Sequence, residues 1–184
     1  MNYARRVTEF FLIYMKNLRE NRTINSIKTT ALWNSNGIAK QVYFDGPWQL
    51  EEHEALIIET AIPERCRYWN LQLADPLSCG IDPLNRQTSL NGFQAELDSD
   101  GKFRAIIAGS DPGVPNWLDT GNYGYGSMLG RWLDADSSPQ PSVRKVALNE
   151  VRDYLPKDTP TVSAEERDNR LRARRKAAQL RRRW

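Results

Sequence analysis

Histidine is almost missing from this 184-residue chain; His53 is the only one. That scarcity excludes a histidine-rich zinc or iron centre built within one chain. It also confines any Ser-His-Asp triad to His53, which lies in the acidic run Glu51-Glu52-His53-Glu54, a turn setting that suits a triad poorly. Cysteine is nearly as scarce. Cys66 and Cys79 make no disulfide framework, and each reads as a buried thiol packing as a small hydrophobe. No apolar run approaches the roughly 18 residues a membrane helix needs. The apolar patch Phe10 to Met15 follows Glu9 and lacks a small-residue cleavage site, so it is not read as a signal peptide. The expected location is the cytoplasm, with no membrane partner, no metal and no cofactor.

The basic excess is confined to one end. The chain holds 26 Arg or Lys and 23 Asp or Glu. From Glu165 to Trp184 nine bases face three acids, so the other 164 residues carry a small acidic surplus. Phosphate binding by such a strip is physically easy but non-specific. A charged helix more commonly faces solvent or docks on acidic surface, which the body supplies, so nucleic acid is not the expected partner.

The length suits one core with appended helices. Val7, Phe10, Phe11, Tyr14, Met15 and Leu18 share a three-four spacing, which predicts a helix over 2–20 docked on the body or on another subunit. After Asn34-Ser35-Asn36-Gly37 the rhythm changes to strands: 38–44, then a turn at Asp45-Gly46-Pro47, then 55–62 and 67–74. In 67–74, Trp69, Leu71 and Leu73 face one way while Tyr68, Asn70 and Gln72 face the other. Further strands are predicted at 89–97, 102–108, 127–133 and 143–148, with a hairpin connection at 97–102. A short helix follows over 149–155. Ser163 and Glu166 form a capping box that opens the last helix. The organisation predicted is an N-terminal helix and linker (1–36), a mainly β body (37–155) and a linker with a basic C-terminal helix (156–184). Many short strands with turns between them predict an antiparallel β-sandwich or jelly-roll-like domain with a helix at each end.

Two groups of residues carry candidate chemistry. Tyr68, Asn70 and Gln72 present fixed amide donors and acceptors on one strand face, either to a ligand or simply to water. The second group hangs from Asp111-Pro112-Gly113-Val114-Pro115-Asn116-Trp117-Leu118-Asp119-Thr120-Gly121, a segment shaped by its prolines and glycines. Asn116, Trp117, Asp119 and Tyr123 there, with Arg131 on the next strand, are the aromatics, amides and charges by which proteins hold amphipathic small molecules. Asp119 and Asp111 are the candidate acid or base of a metal-independent hydrolase or lyase, with Arg131 holding developing negative charge. Each aspartate also suits the plainer task of capping its own turn.

These segments resemble the domain-of-unknown-function 1214 family. The likeness rests on Trp48-Gln49-Leu50, on Glu54-Ala55-Leu56-Ile57-Ile58-Glu59, on Cys66 through Leu73 and on Asp111 through Gly121, with Gly126, Arg131-Trp132 and the late Arg-rich helix. The resemblance covers roughly 37–184. It implies a β-sandwich or jelly-roll-like domain and a site location, but no accepted reaction, and it makes the basic tail a family feature. Where such proteins show a Gly-His or similar polar pair, this chain has Asn122-Tyr123.

The expected function is binding of an amphipathic small organic ligand, a sugar derivative or a polycyclic lipid, with or without catalysis. The site would be roofed by the proline-pinned segment folding over the amide-bearing strand face. The alternative is a non-catalytic accessory or oligomerisation subunit using the aromatic loop and first helix as its interface.

Overall fold

The computed structural model describes residues 3–30 and 41–180. The predicted strand start at 38–40 and turn at 34–37 lie outside those residues. Helix α1 (Tyr3–Asn21) leads into β1 (Lys28–Thr30), β2 (Gln41–Gln49), β3 (Glu54–Thr60), β4 (Cys66–Ala74), β5 (Ser89–Asn91), β6 (Phe103–Ala108), β7 (Trp117–Asp119), β8 (Tyr125–Ala135) and β9 (Ser142–Ala147). A short 3-10 helix (Leu148–Tyr154) and helix α2 (Ala164–Leu180) finish the chain. The fold is mainly β, with two sheets, a helix at each end and no closed barrel among the described residues. One sheet has five strands in the order β1-β2-β8-β4-β5, the other four in the order β7-β6-β3-β9.

The inner faces of the two sheets share one core. Phe44, Trp48, Leu71, Leu73, Met128 and Trp132 from the larger sheet meet Leu56, Ile58, Phe103, Ile107 and Leu118 from the smaller. Aromatic rings dominate the centre: Trp69 lies edge-on to Phe103 at 4.8 Å between centroids, and Phe44 is tilted against Trp132 at 5.5 Å. Gly130 makes room for this. It pairs with Phe44 and Leu71 across its neighbours, and a Cβ there would come within 2.1 Å of the Phe44 ring.

The smaller sheet is covered on both faces, which explains the nearly continuous apolar run of β3. Ala55, Ile57, Ile106, Ala108 and Val146 point away from the shared core into a second cluster with Val114, Trp117, Val151 and Leu155. The larger sheet keeps a polar outer face, and β4 alternates accordingly, with Trp69, Leu71 and Leu73 buried in the core.

Several predicted boundaries shift for identifiable reasons. Asp45-Gly46-Pro47 does not turn the chain; β2 runs straight through it. The β1 ladder ends opposite Asp45, so Pro47 lies where no ladder donor is needed, and its carbonyl accepts from Asn25 N at 2.9 Å. The predicted strand 89–97 stops at Asn91, where the backbone carbonyl accepts from the N–H groups of Gln94 and Ala95 and the chain turns away. Trp117–Asp119, read as loop, is a strand, and it pairs parallel with β6 rather than antiparallel. Cys66 is half-buried and Cys79 is exposed, so Cys79 is not the buried thiol expected. The capping box forms: Ser163 N donates to Glu166 at 2.7 Å and Glu166 N to Ser163 Oγ at 3.2 Å.

Candidate functional site

The proline-pinned segment and the amide-bearing strand face lie on opposite sides of the molecule. Trp117 belongs to the cluster on the outer face of the smaller sheet, while Asn70 is on the outer face of the larger one, with the shared core between them. Among the described residues, no enclosed cavity of the kind expected therefore lies between them.

The segment's polar groups are occupied by the protein itself. Asn116 is fully engaged: its Oδ1 accepts from Glu96 N at 2.9 Å, and its Nδ2 donates to the carbonyls of Glu96 (2.6 Å) and Arg104 (2.9 Å). Trp117 Nε1 donates to the Ala108 carbonyl at 3.0 Å. Asp119 is buried; it pairs with Arg86 at 2.8 Å and accepts from Gly121 N at 2.7 Å. Asp111 caps Gly113 N at 2.8 Å and holds the buried Arg167 of α2 at 2.8 Å and 3.2 Å. Arg167 also donates to the carbonyls of Val114 and Pro115, with its guanidinium 5.2 Å from the Trp117 ring centroid. Asp111, Trp117 and the Val114 and Pro115 carbonyls thus build the socket for the basic helix, Asn116 ties the segment to Glu96 and Arg104, and Asp119 ties its own turn to Arg86. Tyr123, partly exposed, borders a separate hollow with Glu51, Ser110 and Thr120.

The residues that do converge are those of the larger sheet. Tyr43, Arg131, Asn70 and Asn91 stand in register across β2, β8, β4 and β5. The next row places Leu129 beside Gln72 and Ser89. Strand alternation puts both rows on the outer face. Arg131 lies with its guanidinium 5.0 Å from the Tyr43 ring centroid. Helix α2 walls this face on the β5 side. Arg167, Arg170 and Arg174 share one helical stripe; Arg170 pairs with Glu96 at 2.7 Å, and Arg174 donates to the carbonyls of Pro83 and Ser89, each at 2.9 Å, and to the Ser89 hydroxyl.

Between that wall and the sheet is a groove of about 380 Å³. Tyr68, Asn70, Gln72, Ser89, Asn91 and Gln94 supply its hydrogen-bonding groups, and Leu84, Leu90, Ala177 and Ala178 its apolar side. The small alanines of α2 keep the helix from filling the space. Asn70 is 6% exposed, and its Nδ2 makes only a long 3.4 Å bond to Gln72. Its Oδ1 is sealed from water with no hydrogen-bond partner among the described residues, and so is Nε of its cross-strand neighbour Arg131. Buried polar atoms are nearly always paired, so two adjacent orphans mark a place where hydrogen-bonding capacity is unspent. No carboxylate lines the groove among the described residues; its ionisable side chains are Tyr68 and Arg174. It can therefore orient a ligand's hydrogen-bonding groups through amides, and it offers no carboxylate base.

Of the sequence candidates, Tyr68, Asn70 and Gln72 line this groove and Arg131 adjoins Asn70; Asp111, Asn116, Trp117, Asp119 and Tyr123 do not. Sequence reasoning missed Ser89, Asn91, Gln94 and Arg174. Only the 167-170-174 spacing within the basic helix carried a signal, since it puts three arginines on one face.

No family model matches the chain, and no curated protein matches it. Among solved structures, an uncharacterised protein from Burkholderia cenocepacia is similar at 26% identity with a TM-score of 0.72; the match covers 78% of this chain and 40% of that one. The chain therefore spans less than half that neighbour's length. A Vibrio parahaemolyticus protein matches at 15% identity over 65% of this chain and 30% of its own, with a TM-score of 0.42, a likeness too slight to carry an argument.

Proposed function

We propose that this chain is a β-sandwich of the domain-of-unknown-function 1214 type that binds a small, amphipathic organic molecule in the groove between α2 and the β4–β5 face, without catalysing its conversion. The observation that carries the reading is the buried Asn70 amide, whose unpaired oxygen lies at a groove lined by further amides. Unsatisfied buried polar groups cost roughly 1–3 kcal/mol, and a bound partner that lets the amide turn and pair recovers that cost. The aspartates that a hydrolase or lyase would need are on the other side of the molecule and engaged by arginines. Thermal melting of the full chain against a panel of saccharides and bile-acid-type steroids tests the reading. Some member should raise the melting temperature, and Gln72→Ala should abolish that rise while Asp119→Asn preserves it. A panel without effect, or a rise indifferent to Gln72, counts against the groove.

A second reading, an accessory or self-associating subunit, is favoured by α1. Tyr3, Val7, Phe10 and Phe11 leave a large apolar surface exposed on that helix.

A further inference from the structure

We infer that the groove's ligand is a saccharide whose ring stacks on Phe93; the inference rests on the groove reading above. Phe93 is 92% exposed, far more than the other large apolar residues of the β body. It stands in the chain between Asn91 and Gln94, which both line the groove. The turn that presents it is tied down at every step. Asn91 Oδ1 accepts from Phe93 N at 3.0 Å, the Asn91 carbonyl accepts from Gln94 N at 2.9 Å, and Gly92 N reaches the Trp69 carbonyl at 3.3 Å. Residue 92 must be glycine, because a Cβ would lie 2.7 Å from Trp69 Nε1. The ring thus stands out in solvent from a rigid turn whose flanking residues Asn91 and Gln94 line the groove, and little freedom is lost when something settles against it.

A saccharide ring matches both halves of this surface. Its C–H face is apolar and suits an aromatic plane, while its rim of hydroxyls both donates and accepts, as Asn and Gln amides do. A polycyclic lipid fits worse. It would cover the amides of Asn70, Gln72, Asn91 and Gln94 without returning hydrogen bonds, leaving each desolvated and unpaired.

Backbone NMR of the full chain, titrated separately with maltotriose, cellotriose, chitotriose and sodium cholate, tests this. At least one trisaccharide should move the signals of Asn70, Gln72, Asn91 and Gln94. Phe93→Ala should weaken that binding by roughly fivefold, the loss expected of one aromatic stack, and Phe93→Trp should restore it. The melting temperature of Phe93→Ala should match the parent, since the ring packs on almost nothing. Trisaccharide binding in the groove that ignores Phe93→Ala overturns the stacking role. Cholate moving those signals while no trisaccharide does overturns the ligand class and leaves the groove reading standing. If no probe moves them, both the inference and the groove reading fall.

Discussion

Arg167 shows how much one side chain can organise. It is 5% exposed, and its guanidinium meets the Asp111 carboxylate, two backbone carbonyls and the Trp117 ring. Truncating it leaves Asp111 and those carbonyls unpartnered and frees the base of α2. Arg167→Ala should therefore lower unfolding stability by about 3 kcal/mol, the range for breaking a mostly buried pair, read from urea denaturation. A loss below about 0.5 kcal/mol, as for a surface pair, would contradict the socket. Asp119→Asn follows the same logic on a smaller scale. It weakens the Arg86 pair but keeps an acceptor for Gly121 N, so a destabilisation of about 1 kcal/mol or more is expected. The prolines, glycines and aspartates of 111–121 were legible as a shaped, turn-capping segment. That their polar groups were already claimed was not, because the claimants, Arg86, Glu96, Arg104 and Arg167, come from other parts of the chain.

Among the elements, the start of β6 is stitched by charge to β3 and to the turn that precedes it. Arg104 pairs with Glu59 (2.7 Å), Asp98 (2.8 Å) and Asp100 (2.7 Å), and Lys102 pairs with Glu59 at 2.7 Å. Hydrogen bonds from Lys102 and Arg104 hold the Glu59 carboxyl below its ordinary range, and Arg104 holds Asp100 well below its own. A carboxylate whose folded-state pKa is depressed stabilises the fold above its unfolded value and loses that contribution as the pH falls through the folded value. The stitching should be complete above the ordinary values of 4.5 for Glu and 3.8 for Asp and fade below them. Arg104→Gln should lower stability most near neutral pH, and the gap to the parent should narrow as the pH drops below 4. Denaturation midpoints measured across pH 3 to 7 check this; a constant gap would remove the electrostatic account. The period-two alternation of β4 was plain from the sequence, and β6 was predicted as a strand over 102–108. The path of β2 through Asp45-Gly46-Pro47 was not, since turn preference is local while the end of the β1 ladder is set by another strand.

For the molecule as a whole, the two sheets differ in what covers them. The smaller is buried on both sides, whereas the larger carries its amide rows outward between two helices. On the β2 side α1 is anchored by Tyr14, which donates to Asp45 at 2.9 Å, and by buried Met15 and Leu18. Burial and the Asp45 carboxylate push the Tyr14 phenol well above its ordinary range. The same helical face continues through Phe11, Val7 and Tyr3 with those rings and methyls exposed. If that surface joins two copies, light scattering should find a dimer, and Phe11→Ser should return it to monomer. A monomeric parent would discard the self-association reading. No described helix is long and apolar enough to cross a membrane.

By itself the sequence determined what depends on near neighbours. Period-two alternation marked β4, three-four spacing marked α1, and Ser163 with Glu166 marked the start of α2, because these signals act within one or two turns of chain. It also held the strand side of the groove, since Tyr68, Asn70 and Gln72 share a face by pleating alone. Only the tertiary structure decided which polar groups remain free. Hydrogen-bond satisfaction is a contest among distant segments: Arg167 and Glu96 took the groups of the 111–121 loop, while Ser89, Asn91 and Arg174 came to line the same groove as Asn70 and left its oxygen unpaired.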